Sequence, residues 1–319
     1  MISQVKCIGF GEEEANRVAQ NLVNIIYKFN FLDLDGLDHL IIGRSLKDYH
    51  NGLKEFNSDL TATTENGTGI AMSLPIFDKG KLIGYTVAFC AEAVLIPLLD
   101  GFETLSKENK DYEDIIDLMI QTIAHELCHV HVGKYYFKIF SDVLGKRSFR
   151  NKLDSIRGNT LLRCLDEFKV CSLCCGYGQD PEPGYATLLE DSLTAIDGNI
   201  SKVKNNIIYG DWGGLCDGIF KYLSQIFVFS SYCIGTSLGK NIKITDSLGF
   251  KVVRETWFEP YFLELNKILL EFNNDLEANL DVYSIDKYQK IGDLLQEVGI
   301  YFRIKVQEAG ENTYVELLS

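Results

Sequence analysis

Histidine is scarce in this chain, with five in 319 residues. Basic charge is also in deficit: 31 lysines and arginines stand against 45 acidic residues, a formal charge of −14. That deficit argues against general nucleic-acid binding, because phosphate contacts need a basic footprint. No sustained apolar run follows a basic start within Met1–Phe10, so no secretory signal is expected. Long hydrophobic runs are nearly absent. The 18 residues from Tyr222 to Gly239 carry no charge, which is near the lower bound for a spanning helix. Ser224, Gln225, Ser230, Ser231, Thr236 and Ser237 interrupt them, so a buried core helix is expected and membrane partners are not. There is no convincing internal repeat and no low-complexity tract.

Cysteine is present but in an odd number, nine, in a chain too long to need disulfide staples. Cys164, Cys171 and Cys175 fall at i, i+7 and i+11, on one helical face, as reduced core thiols would. A cytoplasmic setting follows as the expectation. Cys171-x-x-Cys174 has no second C-x-x-C to complete a zinc ribbon.

The remaining composition, 46% hydrophobic and 12% aromatic, fits a folded core of one large or two modest domains. Residues 12–29 show the helical period, with Ala15, Val18, Ala19, Leu22, Val23, Ile26 and Phe29 on one face. Leu37–Ile42 reads as a short strand and Ser45–Phe56 as a helix. The polar stretch 61–68, with Asn66-Gly67, reads as a loop. Gly69–Phe77 and Leu82–Cys90 read as a hairpin closed by Asp78-Lys79-Gly80-Lys81, and Pro75 places its first strand at a sheet edge. Residues 106–114 read as a charged connection and 112–132 as a helix ending at Gly133. Residues 134–157 hold seven basic and two acidic side chains, a net +5, read as a solvated face. A helix over Thr160–Cys175 ends at Gly176-Tyr177-Gly178. Pro181 and Pro183 then punctuate a boundary between two lobes, 1–180 and 181–319. The second lobe reads as helices near 185–207, 215–238, 256–280 and 284–298. A closing hairpin, Tyr301–Gln307 with Thr313–Leu318, follows.

The chemistry resides in His125-Glu126-Leu127-Cys128-His129, which reads H-E-x-x-H. Residues four apart share one helix face, so two imidazoles can grip one metal ion with the Glu beside it. Ile116, Ile120, Ile123, Leu127 and Val130 form an apolar stripe that leaves both histidines off it. Zinc, Zn2+, is the expected ion, and a catalytic zinc needs a third protein ligand while keeping a position for water. The extended pattern ending in a third His fails, because Val132 and Tyr135 stand at its Gly and His positions. His131 lies about 200° around the helix from His129 and faces away. The remaining route is a carboxylate from a following helix. Glu167 is the candidate, since an acid among Leu165, Phe168 and Val170 is costly to bury without a partner. The plain alternative is a surface carboxylate. Glu190 and Asp191 are weaker alternatives.

These two segments, His125–His129 and Leu165–Val170, resemble the zincin metallopeptidases of the gluzincin type. Such enzymes carry a second-helix Glu, often in a pattern like E-(F/Y)-x-A. Here Val170 replaces the Ala, and Cys171 stands where many members have Asp; Asp166 is a possible substitute for it. The resemblance spans roughly residues 69–176. It implies an α+β fold, with a zincin-like N-terminal lobe of a small mainly antiparallel sheet and an active-site helix, and a mainly helical C-terminal lobe ending in a hairpin. It further implies a zinc peptidase in which His125, His129 and Glu167 are ligands and Glu126 is the general base. A protein or peptide substrate would pair with an edge strand, Gly69–Phe77 or Leu82–Cys90. Tyr135, Tyr136, Tyr177 and Tyr209 are candidates for stabilising the oxyanion. The rival expectations are a zincin-like binding or regulatory protein without turnover, and a zinc hydrolase of a non-peptide amide.

Overall fold

The computed structural model describes residues 2–57, 69–100, 110–140, 149–205, 212–278 and 285–318. The expected loop 61–68, Tyr209, and the parts of the expected connections at 106–109 and 141–148 lie outside the described residues. The protein mixes helix and strand, as an α+β chain does. It divides into two compact units, residues 1–138 with 176–180, and residues 139–175 with 181–319. Each is described by itself. Helix 152–174 thus groups with the second unit, whereas the sequence reading placed it in the first lobe.

The first unit is built on a four-stranded sheet of order β1-β2-β4-β3: β1 (Gln4–Ile8), β2 (Leu37–Gly43), β3 (Ala71–Asp78) and β4 (Lys81–Cys90). The pairs β1–β2 and β2–β4 are parallel, joined through α1 (Glu12–Ile26) and α2 (Leu46–Phe56). Only β3, among the described strands of this sheet, runs antiparallel. The expectation of a mainly antiparallel sheet is therefore corrected. Helices 12–26 and 46–56 allow parallel returns that a chain of hairpins would not. Pro75 does sit on an edge strand, where its missing N–H costs no ladder bond. The β3–β4 turn has Lys79 at φ 47° and Gly80 at φ 76°, both left-handed, which matches the twist of a two-residue hairpin. Ser45 caps α2 in a reciprocal box with Asp48.

Alternation along β3 and β4 sorts their side chains to two faces. Met72, Leu74, Ala88 and Cys90 meet Tyr49 and Leu53 of α2. Ser73, Tyr85 and Val87 take the other face. There Ser73 and Tyr85 meet α5 (Lys110–Ile139), which follows the short helices α3 (Ala91–Val94) and α4 (Ile96–Asp100). Gly133 does not stop α5, contrary to the sequence reading. It is the point where the Tyr85 phenol crosses the helix: a Cβ there would lie 2.2 Å from Tyr85 Oη. Residues 176–180 return to the same helix, where Gln179 N–H donates to Asp117 O at 3.0 Å. Gly178 makes this approach at φ +65°, with its Cα so close that a Cβ would meet Asp117 O at 2.1 Å.

The second unit comprises α6 (Lys152–Cys174), α7 (Glu182–Asn205), α8 (Trp212–Gly239), α9 (Leu248–Val253), α10 (Glu259–Ala278) and α11 (Lys290–Tyr301). It ends in the hairpin β5 (Ile304–Ala309) and β6 (Asn312–Leu317). The uncharged run 222–239 lies in α8, a core helix packed between α6 and α7. Gly235 and Gly239, one turn apart, let it approach α6: a Cβ at either would meet the carbonyl of Phe168 or Ser172 at 2.2 Å. Its serines return their hydroxyls to carbonyls four residues back, as Ser230 to Ile226 and Ser231 to Phe227. No helix among the described residues is long and apolar enough to cross a membrane.

Candidate metal centre

Helix α5 carries the H-E-x-x-H segment in its middle. Ile123, Leu127, Cys128 and Val130 are buried there, so this part of the helix is held rigidly. His125 and His129 are half-buried, on successive turns. Their Nε2 atoms are 3.2 Å apart, and their rings stand at 80° with centroids 4.8 Å apart. Two nitrogens bound to one tetrahedral zinc at about 2.05 Å lie about 3.3 Å from each other. The two imidazoles thus present the spacing that a shared ion requires. In a metal-free chain the same spacing serves as a hydrogen bond between neutral rings, one donating and one accepting.

Glu126 is buried, 7% exposed, between the two histidines. Its surroundings come from the sheet. Ser73 Oγ lies 3.0 Å from Glu126 Oε2 and 2.7 Å from the Glu126 carbonyl oxygen, and donates there. Tyr49, fully buried on α2, holds its proton well above the usual tyrosine range. Desolvation is the main cause, followed by the negative charge of Glu126. His131 faces elsewhere, as its position on the helix demands. Its Nδ1 accepts from Asp33 N–H at 2.9 Å, and its ring packs on Tyr135.

Glu167 is half-buried on α6 in the second unit. Within that unit it is hydrogen-bonded to Tyr232 of α8, a residue that sequence reasoning passed over inside the uncharged run. Burial first, then the Glu167 charge, raises the Tyr232 phenol far above its ordinary value. One turn along α6, the Cys171 thiol comes within 4.8 Å of a Glu167 oxygen. Burial pushes Cys171 upward as well, and Tyr185 of α7 is hydrogen-bonded to it. Tyr185 packs edge-on against Tyr232, with centroids 4.7 Å apart. The second unit therefore holds two donors, an oxygen and a sulfur, under a lid of two phenols.

The other candidates fall away from this arrangement. Glu190 and Asp191 are exposed on α7; the buried acid of that helix is Glu182, which accepts from Lys240 Nζ and Leu248 N, both at 2.7 Å. Asp166 is half-buried on α6. Of the tyrosines proposed for the oxyanion, Tyr135 is exposed, Tyr136 is buried in the core and Tyr177 stacks on Phe31. All nine cysteines are thiols. Cys164, Cys171 and Cys174 are fully buried, while Cys175 is half-buried and does not complete the expected face. Four basic residues between 134 and 157 are engaged by acids. Lys134 pairs with Asp33, Arg150 with Asp154, Lys152 with Asp217 and Arg157 with Asp293.

No protein-family model, curated protein or solved structure matches the chain.

Proposed function

We propose that the chain is a zinc-dependent peptidase acting on a protein substrate inside the cell. The observation that carries this reading is the 3.2 Å convergence of the His125 and His129 Nε2 atoms, on the helix that also carries the buried Glu126. The donor set is the one zinc prefers, and the spacing fits it. Glu167 is the proposed third ligand, as an acid set in sequence among the buried Leu165, Phe168 and Val170. A zinc ion held by these residues supplies a Lewis acid and lowers the pKa of a water to about 7. Glu126 would be the general base beside such a water, holding its proton and passing it to the leaving amine. The edge strand β3 offers an unpaired side, among the described strands, for an extended peptide to join. A reducing compartment suits nine thiols.

One observation favours a second reading, a zinc-stabilised regulatory protein without turnover. Cys171 stands one turn from Glu167 with its sulfur within 4.8 Å of a carboxylate oxygen. As a fourth ligand it would close the coordination that an enzyme leaves open. Cobalt substitution separates the two: a thiolate charge-transfer band lost in Cys171→Ser supports the closed site, and its absence supports the open one.

The peptidase itself is tested in cells expressing wild type or Glu126→Gln. New protein termini should appear with the wild type only. Identical termini in both would overturn the proposal.

A further inference from the structure

We propose that Ser73 is a positioning residue for Glu126, an inference that rests on the peptidase reading. Ser73 belongs to β3, in register with Val87 of β4. The ladder fixes its backbone, and alternation turns its side chain to the face that α5 covers. From there one short hydroxyl reaches both the carbonyl and the carboxylate of the same residue, at 2.7 Å and 3.0 Å. Its single proton is shared between the two acceptors, a three-centre contact that ties the Glu126 carboxylate to the same hydroxyl as its own main-chain carbonyl. A carboxylate that is only 7% exposed has few other ways to be solvated, so this donor selects its rotamer.

The choice of residue matters physically. Alanine would remove the donor and leave a buried oxygen short of a hydrogen bond. Threonine would keep the hydroxyl and suits a strand. Cysteine would keep the volume while offering only a weak donor. The edge strand thereby does more than bound the sheet: it aims the base on the neighbouring helix.

The test uses the full chain as wild type, Ser73→Ala, Ser73→Thr and Glu126→Gln. In zinc-free protein carrying 13Cδ-labelled glutamate, the Glu126 resonance is assigned by its loss in Glu126→Gln. It should shift in Ser73→Ala and stay near its wild-type position in Ser73→Thr. With zinc restored, a peptide selected from a proteome-derived library as cleaved by wild type should be turned over about tenfold more slowly by Ser73→Ala, with KM changed less than twofold. Zinc content should be equal in all four proteins, and Ser73→Thr should recover the rate. An unmoved resonance in Ser73→Ala, or a Ser73→Thr variant as slow as Ser73→Ala, overturns the proposal. If wild type cleaves nothing while the resonance still shifts, the peptidase reading falls and the Ser73–Glu126 contact stands. Should Ser73→Ala fail to fold, Ser73→Cys carries the same comparison.

Discussion

His125 and His129 aim their Nε2 atoms to within 3.2 Å of each other from successive turns of α5. If that convergence holds an ion, each ring is indispensable and the intervening acid is not. His125→Ala and His129→Ala should each lower the zinc retained after dialysis against a weak chelator from about one per chain to near zero. Glu126→Gln should retain the full amount, with hydrolysis reduced by about 10²-fold to 10⁴-fold. Elemental analysis of the three variants checks this. Zinc retained by both histidine variants would remove the metal centre from this helix.

Gly133 should resist the substitution that most helices welcome. Alanine gains about 1 kcal/mol over glycine within a helix. At Gly133, however, the new methyl would lie 2.2 Å from Tyr85 Oη and 3.0 Å from Cζ, and that ring is buried. Overpacking costs about 1–3 kcal/mol, so Gly133→Ala should be destabilising in urea denaturation. Adding Tyr85→Phe should recover part of the loss. Gly198→Ala, on α7 with nothing within 4 Å, should instead stabilise by about 0.5–1 kcal/mol.

Tyr49 and Tyr288 are both fully buried, yet their hydroxyls differ in status. Tyr49 Oη has no hydrogen-bond partner among the described residues, whereas Tyr288 Oη donates to Asp275 at 2.5 Å. Removing an orphaned hydroxyl relieves a desolvation cost, while removing a bonded one loses its hydrogen bond, even though Lys287 Nζ still donates to the Asp275 oxygen. Tyr49→Phe should leave the melting temperature unchanged or raise it. Tyr288→Phe should lower stability by about 1 kcal/mol. Calorimetry of the two variants gives the comparison, and equal losses would contradict it.

Acid should erase the contribution of Lys134. Asp33 is held below its ordinary value of 3.8 chiefly by the hydrogen bond from Lys134, helped by the Asp35 N–H. A depressed carboxylate contributes stability above its unfolded pKa and loses it as pH falls through the folded one. The pair is partly exposed, so Lys134→Met should cost about 0.2–1 kcal/mol near neutrality. Urea midpoints of wild type and variant should converge as pH drops below 3.8. A gap that persists in acid would mean that the lysine acts through its alkyl stem.

The helix 12–26 is legible in the sequence because its burial is one-sided and repeats, and the hairpin 71–90 because Asp78-Lys79-Gly80-Lys81 separates two apolar runs. Strand β1 is not: it is five residues long and half-exposed, with Gln4 and Lys6 breaking any apolar run. The first turns of α6 escape for a related reason. Lys152, Asp154 and Arg157 look like a solvated connection, and only the Asn151 cap, which accepts from Asp154 N–H, reveals a helix start. At the site, the pairing of His125 with His129 is legible from spacing alone. Ser73 and Tyr232 are not, since a lone hydroxyl in a strand or a core helix has no pattern and acquires meaning only through tertiary contact. Gly133 misleads because glycine marks both helix ends and close crossings.

Residues 176–180 belong to the first unit, although the 37 residues 139–175 of the second precede them in the chain. A ribosome working at about 5–20 residues per second needs roughly 2–8 s to make the 42 residues from 139 to 180. For that interval the nascent first unit has its sheet and α5 but lacks the strap that closes on Asp117. Its completion is tied to synthesis of α6, so the newborn chain offers chaperones an unfinished surface before either unit is sealed.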